Sequence, residues 1–553
     1  MGISRRSVLV SSLTAAGAGL GAAGLFTAST SEAASAPGDV VGKVTVGYQG
    51  WFAARGDGSP VNRWWHWDNN TTNPPSPSDN FIKAWPDVRE LTTTYATGFA
   101  ALGNGQPATL FSSWTDQTID THVKWTQQYG IDTLALQRFG DEMPTRNGVA
   151  TKLRTAAEKY GRKFYIMYDI SGWTDFATAV PSDWTSVMAA LTASSAYARQ
   201  NGKPVVCIWG FGFPDRPGSA ADCLSVINFF KAQGCYVIGG VPREWRTNGA
   251  AGTKPGFGAV YDALNMISPW MVGAIGTVAD ADNYYTSLLV PDQAYCNSHG
   301  IDFQPCVLPG DLVARQRKHG DFMWRQFYNV VRGGVQGIYI SMFDEYGEGN
   351  QIAKTAENAS QIPAGSGFLA LDEDGTACSA DYYLRLTGDG GRMLKGQLAL
   401  TATRPTQPLA GSPTTPPTTA QPPTGTFSLR SRANSLSVTA GTAGTGQLIA
   451  SATTVGPSEQ FTTVTVTGGV ALRSVRSGQY VCAEGAGASP LIANRAAAGT
   501  WETFTLIRNA DGTVSLRAAA NNMIVCADNA GASPLIANRT AVGAWESFDM
   551  IAA

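Results

Sequence analysis

The chain has 553 residues, enough for two to four domains, and its 43% hydrophobic content excludes wholesale disorder. Charged residues are only 15%, against roughly 25% in an average soluble protein. With 40 Lys+Arg against 42 Asp+Glu the net charge is −2, which leaves no basic field for nucleic acid, whereas 15 Trp and 62 Gly on a low-charge chain suit neutral, faceted ligands such as sugars.

The N-terminus reads Ser4-Arg5-Arg6-Ser7-Val8-Leu9, then an Ala/Gly/Leu-rich stretch to about Leu25, then Ala34-Ser35-Ala36. A twin arginine, a mildly apolar stretch and an Ala-x-Ala end describe a Tat-type signal peptide over residues 1–36. A secreted, extracellular protein starting near Pro37 is expected, with no membrane association after cleavage. No later run approaches the roughly 18 apolar residues that span a bilayer.

Over residues 37–401 short apolar runs alternate with helix-like stretches. The runs are Val44–Gly47, Thr133–Phe139, Phe164–Asp169, Val205–Gly210, Tyr236–Val241, Met266–Trp270, Phe303–Leu308 and Gly337–Phe343. Helical spacing marks Val149–Tyr160, Trp184–Gln200, Ala221–Gln233 and Gly320–Arg332. Strands mostly followed by helices predict an α/β fold, a (β/α)8 barrel. The competing doubly wound sheet lacks a Gly-x-Gly-x-x-Gly after its first strand. The long insertion after the first run, holding Trp64, Trp65, His66 and Trp67, is an elaborated loop at the barrel mouth.

Eight cysteines in a chain this long are no disulfide scaffold. Cys207 and Cys235 sit in apolar runs and are expected to be buried. Cys296 and Cys306 are close enough in sequence to bridge, but pairing is not readable. There is no Cys-x-x-Cys, and the four histidines are scattered, so neither a metal nor another cofactor is expected.

A barrel gathers its chemistry at the carboxyl ends of its strands. There the first run leads into Tyr48-Gln49-Gly50-Trp51-Phe52, the second ends at Arg138, the third at Asp169, the fourth at Trp209 and the sixth at Trp270; Arg246 follows the fifth. The eighth breaks into Phe343-Asp344-Glu345-Tyr346-Gly347-Glu348-Gly349-Asn350. Glu345 and Glu348, three apart in a glycine-containing turn, can divide the work of an acid and a base, as glycoside cleavage requires. The structural alternative is a solvated acidic turn, or Asp344 paired with Arg138 or Arg216. Tyr48, Trp51, Trp65, His66, Trp67, Arg138, Asp169, Trp209, Arg246, Trp270 and Asp344 are the expected substrate contacts.

Residues 402–425 are dominated by Pro and Thr and read as an extended linker. Beyond it the chain repeats itself. Val481-Cys482-Ala483-Glu484 … Leu491-Ile492-Ala493-Asn494-Arg495 … Trp501-Glu502-Thr503-Phe504 recurs 44 residues later as Val525-Cys526-Ala527-Asp528 … Leu535-Ile536-Ala537-Asn538-Arg539 … Trp545-Glu546-Ser547-Phe548. A weaker copy upstream runs from Ser437 to Phe461, with Ser458 in the Trp position. Three copies at this period predict an all-β β-trefoil over 426–553, similar to fascin-like and carbohydrate-binding trefoils. Trp501, Glu502, Trp545 and Glu546 are its candidate sugar contacts, by ring stacking and carboxylate hydrogen bonds; packing at the repeat seams is the alternative for the tryptophans.

Gly47-Tyr48-Gln49-Gly50-Trp51-Phe52, Trp65-His66-Trp67 and the Phe343–Ile352 segment together resemble the endo-α-mannosidase/endo-α-1,2-mannanase family and its glycoside hydrolase 71/99-like relatives over about residues 40–395. That family carries an Asn-Glu-Trp-His-Glu-Gly-Thr-Gln-Ile-type segment after its last strand. The resemblance implies that Glu345 takes the proton of the sugar 2-hydroxyl while O2 attacks the anomeric carbon, and that Glu348 protonates the departing oxygen and then activates water. Asp344, Tyr346, Gly347 and Asn350 replace the family's Asn, Trp, His and Thr, so the walls around the pair differ. Similar bacterial sequences are also labelled xylosidase/arabinosidase-like. The expectation is a secreted, monomeric, retaining endo-glycosidase acting on a polysaccharide, α-mannan first, then α-glucan or arabinan and xylan. The rivals are a non-catalytic lectin and a trefoil that binds protein.

Overall fold

The computed structural model describes residues 35–409 and 425–552, apart from 70–71, 248, 250–251, 442–445, 467, 510–512 and 540–541. Residues 1–34 of the expected signal peptide and 410–424 of the expected linker lie outside the described residues. The chain divides into two units, 1–409 and 410–553.

In the first unit the apolar runs become parallel strands β1 (Val44–Tyr48), β2 (Thr133–Arg138), β3 (Lys163–Asp169), β4 (Lys203–Trp209), β5 (Tyr236–Pro242) and β6 (Met266–Trp270). Pro305, with no N–H to offer, splits β7 into Asp302–Phe303 and Cys306–Val307; the first piece pairs with β6 and the second with β8 (Ile338–Ile340). Because β8 also pairs with β1, the sheet closes on itself as a (β/α)8 barrel. The strands are apolar throughout because both faces are covered.

Side-chain parity along the strands governs what can reach the mouth. Gln137, Met167 and Tyr339 point inward, the Gln137 amide donating to Tyr339 Oη at 3.1 Å. Gly47 shares that face, and a Cβ there would lie 2.2 Å from Tyr339 Oη. The next residue along each strand points out toward the helices. Tyr48 Oη meets His122 Nδ1 at 3.1 Å on α1 (Asp116–Gln128), and Tyr168 Oη donates to Asp183 at 2.8 Å on α3 (Phe176–Ser186).

Helices α2 (Met143–Tyr160) and α4 (Ala220–Ala232) and the helix Asp321–Arg332 lie where their spacing places them. The helix expected over Trp184–Gln200 does not form. α3 ends at Ser186, a short 3-10 segment follows over Met188–Ala193, and the chain then runs extended along β3, with Ala198 N donating to Phe164 O at 2.8 Å. Buried Ala196, Tyr197, Ala198 and Gln200 cover the base of the barrel there, and their backbone groups bond to strands rather than to a helix. The segment 402–409, read as linker, is held on this unit: Arg404 Nε donates to Asp321 at 2.7 Å, and Arg385 binds the Pro408 carbonyl at 3.0 Å. All eight cysteines are buried free thiols, including Cys296 and Cys306. Among the described residues no helix is long and apolar enough to cross a membrane.

Among its described residues the second unit has twelve strands in three repeats of four. The first and fourth strands of each repeat close a six-stranded antiparallel barrel, and the second and third form a hairpin, which is β-trefoil topology. Each repeat supplies matching core residues, Leu429/Leu472/Leu516, Val438/Val481/Val525, Leu448/Leu491/Leu535 and Phe461/Phe504/Phe548. The weak first copy has therefore kept its core.

Candidate active site

β8 ends at Ile340, and the chain then lays Ser341–Asn350 over the carboxyl end of the barrel. Phe343 N donates to Gly47 O at 2.8 Å, tying the turn to β1. From behind, buried Arg317 donates to the carbonyls of Gly349 (3.0 Å) and Gln351 (2.8 Å) and packs over the Tyr383 ring. The turn is fixed at both ends.

Asp344 is fully buried, and each carboxylate oxygen accepts a backbone N–H, from Gln49 at 2.7 Å and Gly50 at 2.9 Å. Burial pushes its pKa up to about 7, against the downward pull of those two amides. Neither arginine considered from the sequence pairs with it: Arg138 is bound to Asp183, and Arg216 to Asp215. Glu345 is 3% exposed and accepts the Gln49 side-chain amide on Oε2 at 2.7 Å. Its other oxygen lies over Gly347, 3.3 Å from where a Cβ would stand. Glu348 is half-buried on the far side of Gly347 in the chain, so the two carboxyls sit at different depths. Tyr346 turns back, donating to Lys354 O at 2.9 Å and packing among Phe52, Trp67 and Phe111.

Inward parity brings three further expected residues into the barrel's upper interior. Asp169 is buried, with Oδ1 accepting Ser171 N at 2.9 Å. Trp209 and Trp270 meet edge to face at 5.4 Å, and Trp270 reaches Tyr339 at 6.5 Å. In the first loop Trp51 is stacked between His66 (3.7 Å) and Phe139 (5.4 Å), while the Arg146 guanidinium lies over Trp65 at 4.7 Å. Burial, then the charges of Arg146 and Arg63, hold the His66 pKa well below the ordinary histidine value, so the ring is neutral. Trp51 and His66 are half-buried, and among the described residues Trp51 Nε1 and His66 Nε2 have no hydrogen-bond partner.

Four expected contacts are turned away from the mouth. Tyr48 faces α1, as above. Arg138 makes a two-pronged bond to Asp183 at 2.6 and 2.5 Å behind the sheet. Trp67 is fully buried, its Nε1 donating to Phe111 O at 2.9 Å. Arg246 is committed to Asp292 at 2.8 Å, on the helix Val290–His299, where Trp245 also donates. The first two follow from strand parity; the last two follow from buried polar partners.

Two residues next to the glutamates were not among the expected contacts, although Gln49 stands in the motif that follows the first run. Gln49 follows β1 directly, and its importance depends on β1 and β8 being neighbours in a closed barrel. Phe81, 37% exposed, lies against Gly347. Nothing in its sequence surroundings marks it.

In the trefoil, Glu502 and Glu546 accept the backbone N–H of Gly499 (2.7 Å) and Gly543 (2.8 Å). Glu459 does the same to Gly456 at 2.9 Å in the first repeat, where Ser458 replaces the tryptophan. These carboxylates cap a turn in all three repeats. Trp501 and Trp545 are 39% and 38% exposed.

Residues 466–553 match a family described as a domain of unknown function (DUF7910). No curated protein matches the sequence. Among solved structures, the chain is similar to the GH99 endo-alpha-mannosidase from Bacteroides thetaiotaomicron, with a TM-score of 0.47 and 16% identity over 65% of this chain and 98% of that one. A glycoside hydrolase-like protein has a TM-score of 0.39 and 12% identity over 65% and 97%. The designed three-fold symmetric protein ThreeFoil has a TM-score of 0.22 and 19% identity over 24% and 100%.

Proposed function

We propose that the first unit is a retaining endo-glycosidase acting on a polysaccharide outside the cell, and that the trefoil holds the enzyme on that polymer. The observation that carries the reading is the turn after β8. A barrel strand ends in two glutamates, the deeper one oriented by a side-chain amide and the shallower one half-buried.

The chemistry follows from the depths. Glu345, ionised and held by an N–H donor, takes the proton of the sugar 2-hydroxyl as O2 attacks the anomeric carbon. Glu348, nearer solvent, gives its proton to the departing glycosidic oxygen. It then takes a proton from water, which opens the 1,2-anhydro sugar while Glu345 returns its proton to O2. Both carboxyls end as they began, and no step calls for a cofactor. Trp51, His66, Trp209 and Trp270 supply flat faces and hydroxyl partners for pyranose rings. An α-mannan is the favoured substrate, by the resemblance of the Glu345–Glu348 segment; α-glucan, arabinan and xylan follow.

The test is incubation of the protein and its Glu348→Gln variant with α-mannan, α-1,3-glucan, arabinan and xylan, with soluble products read by mass spectrometry. Oligosaccharides from one polymer, lost in the variant, support the enzyme and name its substrate. Binding without products from either protein replaces it with the lectin.

A further inference from the structure

The Gln49 side chain has a task that the fold does not need. The stitching of β1 to β8 is done by backbone: Gln49 N and Gly50 N to Asp344, and Phe343 N to Gly47 O. Any residue other than proline at position 49 has the backbone N–H those bonds require. The side chain instead donates Nε2 to Glu345 Oε2 at 2.7 Å. Amide orientation is not arbitrary here, since the reverse would set a carbonyl oxygen against a carboxylate. Gln49 is 1% exposed, and its own carbonyl oxygen, Oε1, is buried without a hydrogen-bond partner among the described residues. A buried amide that spends its donor on the candidate base and leaves its acceptor open is built for a hydroxyl-bearing ligand.

We propose that Gln49 is the positioning residue of Glu345: its N–H fixes one carboxylate oxygen so that the other meets the substrate, and its carbonyl accepts a hydroxyl of the same sugar. The inference rests on the glycosidase reading of the Glu345–Glu348 turn. A carboxylate that accepts a fixed donor is favoured in its ionised form, the form a base must have. The titratable groups on the segments packed around it include Asp344, Tyr346 and Glu348 on its own turn, Tyr339 of β8, Tyr48 beside Gln49 on β1, which feels Asp344 and Tyr346, Lys83, whose backbone N–H binds Tyr346 O, and Asp311, whose carboxylate lies beside Gly349. A change at Gln49 removes none of them.

The experiment compares the full chain with its Gln49→Ala, Gln49→Glu and Glu345→Gln variants on the polymer the wild type degrades, measuring melting temperature, KM, kcat and the pH profile of kcat/KM. Gln49→Ala is expected to melt with the wild type, to lose kcat by about 100-fold, as a misplaced reacting group does, and to raise KM through loss of the hydroxyl contact. Because activity needs Glu345 ionised, losing its donor raises its pKa and moves the acid limb of the profile to higher pH. Gln49→Glu, with two carboxyls sharing the contact, moves that limb further the same way. An unchanged acid limb in both variants overturns the proposal, as does a loss of rate that tracks a loss of melting temperature. Wild-type activity in Glu345→Gln overturns the glycosidase assignment of the turn, and the proposal with it. Inactive Glu345→Gln beside fully active Gln49→Ala overturns only the role of Gln49.

Discussion

Phe81 lies across Gly347, its Cδ1 2.8 Å from the point a Cβ on that glycine would occupy. The ring therefore fills the space that a side chain at position 347 would need. An exposed aromatic between a candidate base and a candidate acid is placed to stack on the sugar being cleaved. Phe81→Ala is expected to raise KM about 10-fold, with kcat changed far less, because stacking binds ground state and transition state alike. Gly347→His should be nearly inactive alone and recover in the Phe81→Ala background. A double-mutant cycle on kcat/KM measures the coupling, and simple additivity refutes the contact.

Glu345→Gln and Glu348→Gln keep the shapes of both side chains. Each is expected to lower kcat by about 100-fold or more while leaving melting temperature and polymer binding in place. Oligosaccharide release quantified against time decides it. If either variant hydrolyses at the wild-type rate, the acid–base pair lies elsewhere in the barrel.

The barrel was legible because its strands are buried on both faces and so read as apolar runs, and because their carboxyl ends had to form the mouth. What the sequence withheld is parity. One residue along a strand reverses a side chain, so Arg138 and Tyr48 read as mouth residues while Gln137 and Gly47 hold the inward positions. Long-range adjacency was hidden too. Gln49 and Glu345 are 296 positions apart and meet only because β8 pairs with β1. The missing helix over 184–200 has a similar cause, since its backbone groups find partners on β3, which local spacing does not encode.

Burial raises the pKa of Asp344 to about 7, and that of Asp292 to about 7 as well. A carboxyl whose folded pKa lies above its unfolded value of about 4 contributes stability that is complete below pH 4 and is lost as pH rises toward 7. The barrel is therefore expected to lose stability from these two groups between about pH 4 and pH 7. Asp344→Asn removes one titration and should flatten the fall in melting temperature over that window, at the cost of one of the two backbone acceptors. Adding Asp292→Asn flattens it further. Melting curves at half-unit steps of pH check this, and an unaltered slope in the double variant refutes it.

The trefoil separates structure from recognition by its own repeats. Glu459, Glu502 and Glu546 cap the same turn in all three, whereas the exposed tryptophan exists only in the second and third. A residue kept where its neighbour is lost serves the fold, and the variable one is free to serve a ligand. Glu502→Gln should cost about 1 kcal/mol of trefoil stability through a weakened cap and leave polymer binding unchanged. Trp501→Ala and Trp545→Ala should each weaken co-sedimentation of the full chain with α-mannan, the proposed substrate, and the double variant should lose more than either, since two linked contacts reinforce one another. Melting temperature must stay with the wild type, because both rings are more than a third exposed. If the double variant sediments as well as the wild type, the tryptophans are surface packing and the trefoil does not hold the polymer through them.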